Sequence, residues 1–286
     1  MTKTAQTIMI TGASSGIGRA TAQLFHERGW NVIATMRTPG DDTQLAALEN
    51  VLVTRLDVLD AASIQAAVTA GIERFGHIDV LLNNAGYGVF GVLEAAPIQN
   101  IRRQFDTNVI GLLETTQAVL PHFRAQNSGV LINVSSIGGQ MTLPLGSLYH
   151  GTKFAVEGIS ESLSFELGAI GVRVKIVEPG AIRTDFGGRS LDIVNEEGMT
   201  EYQSMVQNML AALSSMVTDV SEPSVVAEVI YRAATDGSDQ LRYRAGADAE
   251  QLLDFRKAAD DATFIASIRE RFGLPSGVAP SGVVPA

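Results

Sequence analysis

The chain of 286 residues contains no cysteine. Disulfides, thiolate nucleophiles and cysteine-based zinc sites are therefore excluded. Basic residues are few: 21 Lys and Arg stand against 31 Asp and Glu, giving a formal net charge of −10. No run of Lys or Arg is available to meet a phosphate backbone, so nucleic acid is not an expected partner. Long apolar runs are missing too. None approaches the roughly 18–20 residues that a membrane span needs. The opening Met1-Thr2-Lys3-Thr4-Ala5-Gln6 has no basic segment followed by an apolar stretch. No secretory signal is read there, and a cytoplasmic location is expected. Proline is modest at 9 residues against 28 glycines, a balance that suits many tight turns between regular elements.

What is present is a core-forming composition, with 45% apolar and 18% charged residues, and a regular alternation along the chain. Short apolar runs at 7–10, 31–35, 51–56, 78–82, 130–134 and 172–177 read as strands. Amphipathic segments between them read as helices at 16–28, 61–75, 98–109, 112–124 and 147–168. Continuous apolar strands alternating with helices imply a parallel sheet covered on both faces. Right-handed crossovers then give a doubly wound α/β fold. With a last strand at 241–244, the sheet is expected to have seven strands. Helices are also expected over 223–236 and 248–272. No composition break separates a second domain, so residues 1–274 are expected to form one domain and 275–286 a flexible tail.

Thr11-Gly12-Ala13-Ser14-Ser15-Gly16-Ile17-Gly18 lies between the first strand and the first helix. Glycines there let the backbone turn tightly and approach a pyrophosphate, which the free N–H groups of the helix N-terminus would hold. The second strand ends in Thr35-Met36-Arg37, without the carboxylate that would hold the ribose 2′-hydroxyl of NAD. Arg37 can instead meet a 2′-phosphate, with Ser14 adding a hydroxyl, so NADP(H) is the expected cofactor. Asp41 and Asp42 lie nearby but fall past Pro39-Gly40. Asp57 ends the third strand and is placed either to bond an adenine amine or to cap the following helix. Asn83-Asn84-Ala85-Gly86 ends the fourth, where small residues let a dinucleotide lie close.

At 149–153 the chain reads Y-H-G-T-K. On a helix, Tyr149 and Lys153 share one face. A phenol with a pKa near 10 is a poor acid/base alone, and an ammonium beside it stabilises the phenolate. Ser136 lies thirteen residues upstream of Tyr149, just past the fifth strand, where its hydroxyl can hold a substrate oxygen. Asn108 lies in a helix and can carry a water-linked proton relay.

Taken together, these motifs closely resemble the short-chain dehydrogenase/reductase family. The resemblance rests on T-G-A-S-S-G-I-G (11–18), L-D-V (56–58), N-N-A-G (83–86), Asn108 in D-T-N-V, I-N-V-S-S (132–136), Y-H-G-T-K (149–153) and P-G-A-I-R-T (179–184), all in the family's order. It implies Tyr149 as acid/base and Lys153 as the residue that lowers its pKa and holds the cofactor ribose. It implies Ser136 as the orienter of the substrate oxygen, preferred over Ser135 by the family's spacing, and Asn108 in the relay. Gly12, Ser14, Ser15, Gly16, Ile17 and Gly18 would hold the pyrophosphate. Asp57 and Val58 would contact adenine, and Asn83, Ala85 and Gly86 would back the adenosine. Pro179, Gly180, Ile182 and Thr184 would line the nicotinamide, the last two at its carboxamide. The Met-Arg pair is similar to NADP(H)-preferring members. A homodimer or homotetramer is implied as well.

The expected activity is interconversion of a carbonyl and an alcohol, with an apolar small-molecule substrate. Two alternatives share the same dinucleotide end: an NADP(H)-binding redox sensor without turnover, and an NAD(H)-dependent alcohol dehydrogenase. A sensor has no use for Tyr149, Lys153 and Ser136 together. The segment 186–217 reads as irregular and then helical, with Met205, Met209, Leu213 and Met216 on one face. That face is either core packing or a mobile apolar lid over the substrate. His26, His77 and His122 read as isolated surface residues, and His150 should point away from the Tyr149–Lys153 face. Asp60, Glu196 and Glu197 read as solvated charges. No His/carboxylate spacing suggests a metal.

Overall fold

The computed structural model of the chain describes residues 5–41, 43–216 and 220–275. The tail beyond 275, Val217 at the end of the expected lid, and Asp42 lie outside the described residues, as do the side chains of Asp41, Leu213 and Met216.

Seven parallel strands form the main sheet in the order β3-β2-β1-β4-β6-β7-β9. In chain order the first elements are β1 (Thr7–Ile10), α1 (Gly16–Glu27), β2 (Asn31–Met36), α2 (Thr43–Ala46), β3 (Val51–Arg55), α3 (Ala61–Phe75) and β4 (Val80–Asn83). Then come β5 (Gly88–Gly91), α4 (Ile98–Phe105), α5 (Gly111–Gln126), β6 (Gly129–Val134), α6 (Ser147–Gly168) and β7 (Val172–Pro179). The chain continues through α7 (Phe186–Arg189), β8 (Leu191–Val194), α8 (Thr200–Met216), α9 (Pro223–Thr235), β9 (Arg242–Ala245), α10 (Ala247–Ala258) and α11 (Asp261–Arg271).

The apolar strand runs hide a period of two. Ile8 and Ile10 of β1, Val80 and Leu82 of β4, and Val130, Ile132 and Val134 of β6 belong to one core, with Phe25 of α1 and Val226 and Ile230 of α9. Met9, Leu81 and Leu131 point through the other face to Ile64 and Val68 of α3, Val119 and Phe123 of α5, and Leu167 of α6. Alternate side chains leave a strand on opposite faces, so burial on both demands unbroken apolar sequence. Strand order reverses between β1 and β4, and a crevice opens there at the carboxyl ends of the strands.

Three expectations need correction. The helices expected over 98–109 and 112–124 are continuous, joined by a π-helical turn at Asp106–Ile110 that contains Asn108. The segment after 186 is not irregular: β8 pairs in parallel with β5 as a separate two-stranded sheet. Its closeness requires glycine at Gly91, where φ is +139° and a Cβ would lie 1.8 Å from the Val194 carbonyl oxygen. The single helix expected over 248–272 is two, α10 and α11. They build a third core in which Ala249, Leu253 and Phe264 pack on Ile137 and Met141, in the segment that follows β6. No helix among the described residues is long and apolar enough to cross a membrane.

Candidate active site

The turn after β1 is shaped by backbone. Gly12 and Gly16 take φ of +69° and +54°, which only glycine adopts at no steric cost. A Cβ on Gly18 would lie 2.3 Å from the Gly12 carbonyl oxygen, so this glycine serves close packing of helix on turn. Asn84 ties the turn to β4, its Nδ2 donating to the carbonyls of Thr11 at 2.9 Å and Gly12 at 3.1 Å. Ser15 is the N-cap of α1, yet its side chain makes no capping hydrogen bond. The first-turn N–H groups and the hydroxyl are left to an anion, which the helix dipole favours.

A cleft of about 430 Å³ runs from this turn across the strand ends. Gly12, Ser14, Ser15, Gly16 and Ile17 line it, as do Arg37, Asp57, Val58, Ala85 and Gly86. So do Ser136, Tyr149, Lys153, Pro179, Gly180, Ile182 and Thr184. Three expected site residues do not. Gly18 is buried behind the turn. Asn83 points into the sheet, donating to Thr116 Oγ1 at 2.9 Å and Asn133 Oδ1 at 3.0 Å, and its neighbour Asn84 faces the cleft instead. Asn108 is 3% exposed, and its amide has no donor to spare. Its Nδ2 donates to the Tyr87 carbonyl at 2.8 Å and Thr152 Oγ1 at 3.0 Å, and its Oδ1 accepts from the Tyr87 N–H at 2.9 Å. The side chain fastens Tyr87 to the helices and does not reach the cleft.

Of the two roles open to Asp57, capping falls to Asp60, which corrects the expectation that Asp60 is only a solvated charge. Asp60 Oδ1 accepts from the Ser63 N–H at 3.2 Å at the start of α3, and Arg55 pairs with it at 2.9 Å. Asp57 accepts from the Leu59 N–H at 3.0 Å and keeps its place in the cleft wall.

At the other end, α6 carries Tyr149 and Lys153 one turn apart. The Lys153 ammonium sits 5.9 Å from the Tyr149 ring centroid and donates to the Val134 carbonyl at 2.8 Å. Burial pushes it down to about 8, opposed by the charge of Glu157. Burial also raises the Tyr149 phenol, and a hydrogen bond with Ser136 pulls it back. Of these two influences on the phenol, burial is the larger. Ser136 Oγ accepts from the Gly138 N–H at 3.0 Å, which leaves its own proton for an oxygen in the cleft.

His150 does not point away. It is buried at 4% exposure beside Tyr149, with ring centroids 5.7 Å apart. Its Nε2 accepts from the Leu143 N–H at 3.0 Å, so Nδ1 carries the proton donated to the Gly138 carbonyl at 3.0 Å. Burial lowers its pKa and keeps it neutral. It braces the turn that carries Ser136. The other histidines are not free surface residues either: His122 Nε2 accepts from the Ile78 N–H at 3.0 Å, His77 lies 3.2 Å from Asp79, and His26 is half-buried.

Several cleft residues have no signal in the sequence beyond adjacency to a motif. Tyr87 follows N-N-A-G directly; its hydroxyl donates to Asp192 of β8, and Arg103 of α4 stacks 4.3 Å over its ring. Burial and the Asp192 carboxylate push Tyr87 up to about 12. Phe186 of the cleft wall and Phe90 behind it flank Tyr149 at centroid distances of 6.0 and 5.3 Å, giving the phenol apolar neighbours. The C-terminal helices support this end too, because Asp248 of α10 accepts from the Ala181 N–H at 2.6 Å.

The family model for short chain dehydrogenases matches residues 6–193. An uncharacterized oxidoreductase of Schizosaccharomyces pombe is 48% identical over 243 residues, covering 84% of this chain and all of the relative. Mouse 17-beta-hydroxysteroid dehydrogenase type 1 is 33% identical over 252 residues, covering 82% of this chain and 72% of that protein. Among solved structures, a short-chain dehydrogenase from Streptomyces avermitilis superposes with a TM-score of 0.80 at 32% identity, over 96% of this chain and 98% of that one. The chain thus belongs to the short-chain dehydrogenase/reductase family of oxidoreductases.

Proposed function

We propose that the protein interconverts a ketone or aldehyde and an alcohol with NADP(H), Tyr149 acting as acid/base. The observation that carries this reading is one continuous cleft. It has a glycine-shaped anion cradle and Arg37 along one part, and Tyr149 with Ser136 and Lys153 along another. The cradle fits a dinucleotide: the positive-φ glycines leave no Cβ in the way, and the N-cap of α1 is uncapped by its own side chain. A bound nicotinamide would supply or accept the hydride. Gly12, Ser15, Gly16 and Ile17 hold the pyrophosphate; Arg37 and Ser14 hold a 2′-phosphate. Ser136 donates to the carbonyl oxygen and orients it. Tyr149 gives that oxygen its proton in reduction and takes it back in oxidation. A raised phenol favours the protonated form, which suits reduction. Lys153 holds positive charge beside the phenol. Asn108 enters as an anchor for Tyr87 and Thr152.

The substrate is apolar in this reading, supported by Phe90 and Phe186 around Tyr149 and by the hydroxysteroid-acting relative. Residues 1–274 act as one domain, because α10 and α11 back the Ser136 turn. A homodimer or homotetramer is part of the reading, supported by the exposed Phe105, Ile110, Phe154 and Phe165 on α4, the π turn and α6; sedimentation equilibrium decides it. The central test is NADPH and NADH oxidation against a panel of apolar ketones and aldehydes, with Tyr149→Phe as control. NADPH turnover lost in the variant supports the reading. Undiminished turnover in Tyr149→Phe, or clearly tighter NADH than NADPH, overturns the corresponding half of it.

A further inference from the structure

Behind Lys153, on the side away from the cleft, lies a cluster of charge that the proposed reaction does not use. Glu157 follows Lys153 by one turn of α6 and is 5% exposed. Arg242 of β9 clamps it, Nε lying 2.9 Å from Glu157 Oε2. The same guanidinium reaches Glu161 at 2.6 Å and lies 3.8 Å from Glu178 of β7. Glu178 is buried as well and takes a short hydrogen bond from Gln140.

Two atoms here are orphaned. Glu157 Oε1 and Ser135 Oγ are buried without a hydrogen-bond partner among the described residues. They flank the same spot: a Cβ on Gly139 would lie 2.5 Å from Ser135 Oγ, 2.9 Å from Glu157 Cγ and 3.1 Å from the Lys153 carbonyl oxygen. Glu157 and Ser135 thus meet beneath the turn that carries Ser136, against the backbone of Lys153, whose side chain leaves the same helix one turn before Glu157.

One partly exposed guanidinium does not neutralise two buried carboxylates. Glu178 yields: burial and then the charge of Glu157 push it up to about 7. Glu157 has the closer hold on the guanidinium, at 2.9 Å against 3.8 Å for Glu178. The charged groups around it are Lys153 and Glu161 on α6, Glu178 on β7, and Arg242 on β9, with Arg244 of β9 acting on Glu178. The turn after β6 contributes only uncharged Ser135 and Gln140. On the cleft side, the buried cation without a second countercharge is Lys153.

We propose that Glu157 is a positioning residue for the reaction: its carboxylate, held by Arg242, is the countercharge that keeps Lys153 an ammonium beside Tyr149. The proposal rests on the reading of Lys153 given above. Its mechanism is plain electrostatics. Burial alone would drive the lysine towards the neutral amine, and an adjacent carboxylate reverses that. A neutral Lys153 would remove the positive charge on α6 beside Tyr149 at the alkaline end of the working range.

The sequence has only Lys3, Lys153, Lys175 and Lys257 as lysines, so 13Cε-lysine NMR resolves Lys153 directly. In the wild-type chain its signal should titrate near 8. In Glu157→Gln the midpoint should fall by about one pH unit or more. Glu161→Gln, which removes only an exposed partner of Arg242, should leave it in place. If Glu157→Gln does not fold, the double variant Glu157→Gln/Arg242→Gln, which removes the guanidinium together with the carboxylate it clamps, should still show a downward shift. An unmoved or raised midpoint in whichever of these folds overturns the proposal. The titration needs no turnover, so it stands apart from the Tyr149→Phe test: a wrong acid/base assignment would leave the Lys153 shift intact.

Discussion

At its phosphate end the cleft is built from backbone. Gly12 and Gly16 turn through positive φ, Gly18 lets α1 close on the turn, and Ser15 leaves its hydroxyl uncommitted. At its reacting end it is built from side chains whose charge depends on what surrounds them: a phenol raised by burial, a lysine lowered by it, and a serine that links to the phenol. The two ends therefore differ in what breaks them. A backbone site is sensitive to an added methyl group and indifferent to pH. A side-chain site tolerates shape-preserving changes badly if they remove one oxygen or one charge.

That contrast sets an order of expected effects. Tyr149→Phe removes a single oxygen at the reacting end; kcat should fall by at least about a thousandfold with NADPH affinity within about twofold of wild type. A large loss of affinity would mean the ends are not independent. Gly18→Ala adds a single methyl at the phosphate end, 2.3 Å from the Gly12 carbonyl oxygen. Overpacking of about 1–3 kcal/mol should weaken dinucleotide binding about 10- to 100-fold while kcat at saturation stays within a few fold. Isothermal titration with parallel kinetics checks both. Arg37→Ala should weaken NADPH about tenfold and leave NADH unchanged, the size of one exposed charge-assisted contact.

The remaining effect is on stability and not on turnover, and concerns the charge cluster behind the reacting end. Glu178 has its acid weakened from 4.5 to about 7 in the folded chain. The fold then binds that proton more tightly than the unfolded chain does, so stability falls as pH rises through this interval. Glu178→Gln removes the dependence. Relative to wild type it should gain about 2–3 kcal/mol in urea unfolding between about pH 5 and pH 8. No change in the difference would mean that Glu178 is not strained by its burial.

The same contrast explains what was legible in the sequence. Backbone-built features leave signatures in residue type: the glycine turn, the apolar strands and the full extent of α6 from Ser147 to Gly168 are readable in order. Side-chain environments are not, since they depend on strands remote in sequence. Arg242 reaches Glu157 because β9 lies beside β7, in a register that sets Ile176 against Arg242 and Glu178 against Arg244. Spacing along the chain does not fix that register. The pairing of β5 with β8 was hidden for the same reason, two four-residue strands a hundred residues apart. Asn83 differs from these. Strand alternation places it on the face of Leu81, inside the sheet, and that signal was available. For His150 helix periodicity is not enough, because the turn after β6 wraps the side of α6 and takes up a residue that lies off the Tyr149 face.

The packing of α10 and α11 on Ile137 and Met141, with Asp248 on the Ala181 N–H, has a consequence at a distance. The turn bearing Ser136 is thus braced from two directions: His150 of α6 holds it from one side, and helices far along the chain pack on it from the other. A change in α10 or α11, remote in sequence from every residue of the reacting end, should loosen that end and leave the glycine turn after β1 untouched.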